Sequence, residues 1–91
     1  MMKRPPVPRE LLLRHLTVEE AIRQLDEYLD AAFMADLWQV RVVHGKGGGR
    51  IRKAVDAYLK KHPLVISHRL GYEWEGSYGT TIVNLEQKKR L

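Results

Sequence analysis

The sequence contains no cysteine. A disulfide scaffold, a thiolate zinc site and a cysteine nucleophile are therefore excluded. No apolar run approaches the roughly 18 residues that a membrane-spanning helix needs. The first nine residues carry Lys3, Arg4 and Arg9, yet only Leu11-Leu12-Leu13 follows them. Three leucines are too few for the apolar stretch of a signal peptide. A cytoplasmic protein without a membrane partner is expected. Size is lacking too, since 91 residues make one small domain. Such a domain buries only roughly 60% of its unfolded surface, so a core and a deep substrate cavity do not fit together. The expected site is a shallow surface groove, which suits a polymer better than a metabolite or a small-molecule cofactor.

Acids are the scarcer charge, with 11 Asp and Glu against 16 Lys and Arg, for a net +5. The excess is uneven. Residues 10–36 hold seven acids against Arg14 and Arg23, a net of −5. Residues 37–72 hold eight bases against Asp56 alone, a net of +7. The middle third is thus where an acidic partner is to be sought. With 44% hydrophobic residues the chain does not read as disordered.

Pro5, Pro6 and Pro8 make residues 1–9 an extended arm. A single domain is expected over 10–86, and residues 87–91, with Lys88-Lys89-Arg90, form a basic tail. Glu10 to Arg14 reads as a short buried strand. Thr17-Val18-Glu19-Glu20 is a capping box, in which hydroxyl and carboxylate each bond the other residue's amide. The helix after it carries Val18, Ala21, Ile22, Leu25, Leu29, Ala32 and Phe33 at helical spacing. Val40 to Val43 is β-branched and reads as a strand. A second helix runs from Arg50 to about His62, where Pro63 ends it. Leu64 to Leu70 and Thr80 to Leu85 read as strands around a loop containing Trp74 and Tyr78. The order β-α-β-α-β-β predicts an α/β two-layer sandwich. Its mixed four-stranded sheet has both helices on one face and the last strand antiparallel.

The stretch His44-Gly45-Lys46-Gly47-Gly48-Gly49-Arg50-Ile51-Arg52 joins a strand end to a helix start, where open α/β sheets bind ligands. Free amides and the helix dipole favour an anion there. Glycines allow close backbone approach. Gly45, Lys46, Gly47, Gly49, Arg50, Arg52 and Lys53 are the expected phosphate contacts, and a nucleic-acid backbone is the expected partner. The Walker A pattern fails because Gly47, not Ser or Thr, follows Lys46. The dinucleotide pattern fails because its third small residue falls on Arg50 or Arg52.

These motifs resemble the Smr (small MutS-related) domain family. Its first-strand Leu-Asp-Leu-His/Arg-Gly motif corresponds to Leu11-Leu12-Leu13-Arg14-His15, and its helix start to Thr17-Val18-Glu19-Glu20-Ala21. Its His-Gly-Lys-Gly loop corresponds to residues 44–52, and its later glycine-rich loop to Gly76 and Gly79. The resemblance covers roughly residues 10–86. It implies a sandwich similar to the carboxyl-terminal domain of translation initiation factor three. It also implies DNA or RNA binding and, in several members, endonuclease activity. This chain departs from the family at Leu12, where the family has its acid, and at His15, where it has glycine.

Cleavage of a phosphodiester needs a proton-moving group and a stabiliser of the developing charge. His44 with Arg14 is the first candidate pair, and His15 the second imidazole. No metal ligand set is assigned, since no His-Glu-x-x-His pattern occurs and the nearest carboxylates are Glu10, Glu73 and Glu75. A divalent metal stays open as a cofactor beside a metal-free acid/base mechanism. Trp74 either stacks on an unpaired base or packs under its loop. Trp38 is expected in core or rim packing, His62 at a helix end and His68 on strand surface. The chain also reads as a whole protein or as part of a longer one. The alternative to nucleic-acid binding is a protein-interaction domain that docks a basic partner through the acidic first helix.

Overall fold

The computed structural model describes residues 6–47 and 49–88. Most of the proline arm, Gly48 and the last three residues of the basic tail lie outside the described residues. Helix α1 (Val18–Met34) starts at the expected capping box. The Glu20 amide donates to the Thr17 hydroxyl at 3.1 Å, and the Thr17 amide donates to the Glu20 carboxylate at 3.4 Å. Ala21, Leu25, Tyr28, Leu29 and Ala32 follow at helical spacing and are buried. At the other end the Lys88 ammonium donates to the Met34 carbonyl at 2.9 Å. A residue read as tail thus answers the negative end of the α1 dipole.

Strands β1 (Glu10–Leu12), β2 (Gln39–Val43), β3 (Val65–Leu70) and β4 (Thr80–Leu85) form one sheet in the order β1-β2-β4-β3. β1 runs parallel to β2, and β4 is antiparallel to both β2 and β3. The mixed sheet with an antiparallel last strand is as expected, and β4 enters its middle. Helix α2 (Arg50–Lys61) and α1 cover the same face. Leu25, Leu29, Val55 and Leu59 of the helices meet Val40, Val42, Val83 and Leu85 of the strands in one core. Each fully buried side chain of this kind contributes roughly 1.5–3 kcal/mol relative to exposure. Strand alternation turns Arg41, Ile82 and Arg69, which stand side by side, to the opposite face.

Several packing expectations change. Trp38 is 60% exposed, because Leu37 supplies the apolar contact after α1. His68 is mostly covered and lies 2.9 Å from Asp56 of α2. Its side chain therefore faces the helix layer, not open strand surface. His62 caps α2 and accepts the Leu64 amide at 3.1 Å. The arm is anchored where it is described. Val7 packs on the core, and the Pro8 carbonyl accepts the Tyr28 hydroxyl at 2.5 Å.

β1 ends two residues earlier than expected. The Leu13 amide still donates to Val43, but the chain then turns through His15 at φ 64°. That left-handed conformation costs a side-chain-bearing residue roughly 1–2 kcal/mol. His15→Gly is expected to raise stability by about 1 kcal/mol, read as a higher urea midpoint. A lower midpoint would show that the imidazole makes a contact outweighing the backbone cost.

Candidate nucleic-acid interface

β1, β2 and β3 all run parallel, so their carboxyl ends lie together beside the start of β4. Three loops gather there: residues 13–17, 44–49 and 71–79. The Gly79 carbonyl accepts the amides of His44 at 3.0 Å and of Gly45 at 2.9 Å. Gly79 packs so closely that a Cβ on it would lie 3.0 Å from Lys46 Cγ. The Lys46 ammonium sits 5.1 Å from the Tyr78 ring centroid. A Cβ on Gly45 would lie 3.9 Å from Arg14 Cγ, which puts Arg14 beside the loop.

The start of α2 is chemically unlike that of α1. Gly49, at φ 82°, precedes the helix, and no side chain caps its first amides. The first turn has no acid and carries Arg50, Arg52 and Lys53. Cations at the positive end of a helix are unfavourable by roughly 0.3–1 kcal/mol each. Among the described residues, none of Arg14, Lys46, Arg50, Arg52 and Lys53 forms an ion pair with a carboxylate. Arg41, Lys60, Arg69 and Lys88, away from this loop, pair with Glu10, Asp56, Glu75 and Asp36.

Grooves lie on both sides of the loop. One, between the two helix starts, is lined by Leu16, Thr17, Val18, Glu19, Arg50 and Ile51. The other, a cleft of about 530 Å³ between α2 and the β3 edge, is lined by Arg52, Lys53, Asp56, Lys60, His68 and Arg69, with Leu70 and Thr81. Both are shallow surface features, as the chain length requires.

His44 is 7% exposed. Its Nδ1 faces the Gly45 carbonyl at 3.1 Å, and its Nε2 faces the Thr81 hydroxyl at 2.9 Å. Nδ1 must carry the proton to meet a carbonyl, so the Thr81 hydroxyl donates to Nε2. Burial lowers the His44 pKa below its ordinary value, and the Arg52 charge lowers it further, against the opposing Gly45 hydrogen bond. The imidazole faces inward and ties the loop to β4. Sequence patterns did not single out Thr81. Its one signal was its place in the last strand, where the family resemblance covers Thr81-Ile82-Val83 without giving the hydroxyl a role.

The other candidates are more open. Arg14 and His15 are exposed, and so are Lys46, Arg50 and Lys53, with Gly49 and Arg52 half-buried. Trp74 is 79% exposed. Leu12, at the position of the family's acid, is 50% exposed and stands opposite Val43. Glu10 and Glu75, expected near the site, pair with Arg41 and Arg69 instead, and Glu19 lines the groove. No three His, Asp or Glu side chains converge as a metal ligand set among the described residues.

The sequence profile of the Smr domain matches residues 11–86. The chain belongs to the Smr domain family. It is 54% identical over 82 residues to the endonuclease MutS2 of Thermomicrobium roseum, covering 90% of this chain and 10% of that protein. It thus spans about a tenth of the length of the curated relatives it matches. The crystal structure of the Smr domain of Thermus thermophilus MutS2 superposes with a TM-score of 0.83 at 38% identity, over 85% of this chain and 96% of that one. YdaL, a stand-alone small MutS-related protein from Escherichia coli, shares the fold with a TM-score of 0.80 at 24% identity, over 88% and 65%. The Smr loop of this chain is therefore built around an interior histidine.

A lowered histidine pKa has a defined stability consequence. The unfolded chain takes up a proton as pH falls through about 6.5, before folded His44 does. Its contribution is full above that pH and is lost below it. The urea midpoint of the wild type is expected to fall between about pH 7.5 and 5.5, and to fall less for His44→Gln. Equal slopes would show that His44 is not the group responsible.

Proposed function

We propose that this Smr domain binds DNA or RNA by gripping its phosphate backbone with the 44–49 loop and the start of α2. The observation that carries the reading is the set of five bases that, among the described residues, have no carboxylate partner and surround an uncapped helix start. Phosphate oxygens would accept the free first-turn amides and offset the crowded positive charge. Gly45 and Gly49, at φ 80° and 82°, and exposed Gly47 let the backbone approach the ligand. Arg14 and Lys46 flank this contact, and Arg50, Arg52 and Lys53 extend it along α2. Docking through acidic α1 has less support. Glu20 is engaged in its cap, and Asp26 takes the Tyr58 hydroxyl and lies 3.8 Å from His62.

Cleavage is the second reading, favoured by the names of the relatives. In it, Arg14 and the loop amides offset charge on the phosphate. Exposed His15 takes a proton from an attacking water, whose oxygen bonds to phosphorus as the bond to the leaving sugar oxygen breaks, and that oxygen gains its proton from solvent. His44 positions the loop from inside.

Lys46→Ala and Arg50→Ala are expected to weaken binding to short DNA and RNA of any sequence. Removing one phosphate-binding cation should reduce the slope of log K against log salt by about 1. Unchanged affinity and slope in the double variant would sink the binding reading. On labelled strands, His15→Ala is expected to slow cleavage by roughly 100-fold or more while binding persists. Cleavage at the wild-type rate would remove His15 from that role.

A further inference from the structure

The loop between β3 and β4 builds a stacked column that the phosphate grip does not use. The Arg69 guanidinium lies 4.2 Å from the Tyr72 ring centroid. The Tyr72 ring in turn lies 5.0 Å from the Trp74 ring, at 35°. Glu75 locks the base of the column. Its carboxylate accepts two N–H groups of Arg69, at 2.7 and 3.1 Å, and the Tyr72 amide at 2.9 Å. Arg69 and the Tyr72 amide hold that carboxyl down at about 2, so it stays ionised in ordinary buffers.

Two glycines let the loop close this tightly. A Cβ on Gly71 would lie 3.1 Å from Glu75, and one on Gly76, at φ 102°, would collide with the Thr80 hydroxyl oxygen. The column therefore stands ready without ordering on contact. Its outermost ring, Trp74, is 79% exposed, and Tyr72 below it is 54% exposed. An indole this large, held in place and left in water, is a surface for another flat ring. The same loop reaches Gly79, whose carbonyl holds the His44 and Gly45 amides. No more than about 17 Å of extended chain separates Trp74 from Gly79.

We propose that Trp74 is a stacking platform for an unpaired nucleobase, so that this domain selects single-stranded or locally opened nucleic acid over a closed duplex. The proposal rests on the phosphate grip described above, which brings the strand to the loop. A base inside a duplex is already stacked on both faces, and exposing one to Trp74 requires unstacking. A free strand offers its bases without that cost, and any base has a face to give. The Arg69 charge beneath the column adds cation–π attraction to the rings above it.

The test uses the full chain and four labelled probes of equal length: oligo(dA), oligo(A), an abasic deoxyribose-phosphate strand and a closed DNA duplex. In a Trp38→Phe background, oligo(dA) is expected to quench Trp74 emission and the abasic strand to leave it unchanged. Trp74→Ala is expected to weaken oligo(dA) binding by about tenfold, with the abasic strand and the duplex changing less than about twofold. Trp74→Phe should recover most of the loss, which separates stacking from a disturbed fold. Comparison of oligo(A) with oligo(dA) reports whether the sugar matters. Unchanged oligo(dA) affinity in Trp74→Ala overturns the proposal, and so does an equal loss on all four probes. Lys46→Ala with Arg50→Ala distinguishes the two readings. Failure of that pair to weaken any probe removes the phosphate grip, while the contrast between oligo(dA) and the abasic strand still decides the stacking.

Discussion

The carboxyl end of β2 is held by the amino end of β4. One carbonyl, Gly79, takes the amides of both His44 and Gly45, and behind it the His44 ring meets the Thr81 hydroxyl. Each such hydrogen bond is worth roughly 0.5–1.5 kcal/mol net, and leaving a buried partner unsatisfied costs about 1–3 kcal/mol. The positions of Lys46 above Tyr78, of Arg14 beside Gly45 and of the first turn of α2 all follow from this clasp. A side chain on Gly79 would crowd this clasp, since its Cβ would stand 3.0 Å from Lys46 Cγ and 3.4 Å from the Gly45 carbonyl carbon. The clasp also explains why the loop histidine is interior. It works as a bolt between two strands, and its lowered pKa is the electrostatic trace of that burial.

The two helix starts divide the work of the sheet end. α1 satisfies its own amides with Thr17 and Glu20 and places acids where the dipole favours them. α2 does neither, and its first turn gathers cations that the dipole disfavours. A closed start satisfies its own donors, whereas the open one leaves its first-turn amides without a side-chain acceptor. The bases elsewhere that pair with carboxylates sharpen the contrast. They offset charge on the outer sheet face and the α2–β3 edge, whereas among the described residues the five bases around the loop have no carboxylate partner.

Much of this was legible locally. The capping box, the two apolar stripes, the β-branched strand and the glycine loop are short-range patterns, and each element formed within a residue or two of its expected span. The bases of the loop were legible for the same reason. What was not legible depends on register across strands. Burial of His44 follows from β4 lying beside β2, and no local pattern reports that neighbour. His68 turns toward Asp56 because it pairs with Val83, whose side chain lies on the core face of the sheet. Glu19 read as part of an acidic helix face, yet the convergence of the helix starts makes it a wall of the groove. Trp38 went the other way, since the turn before β2 could bury only one of two adjacent apolar residues and chose Leu37.

The central place of β4 has a consequence for the order of assembly. It is the last strand in sequence, yet it joins β2 on one side and β3 on the other. Until it is in place β3 has no hydrogen-bonded neighbour in the sheet, and the parallel β1–β2 pair shows an open edge. A chain emerging from the ribosome therefore cannot complete its sheet, or its clasp, until residues 80–85 are available. Pairings of such high sequence separation are slow to form. The 44–49 loop therefore gains its hydrogen bonds to Gly79 only when β4 has paired with β2.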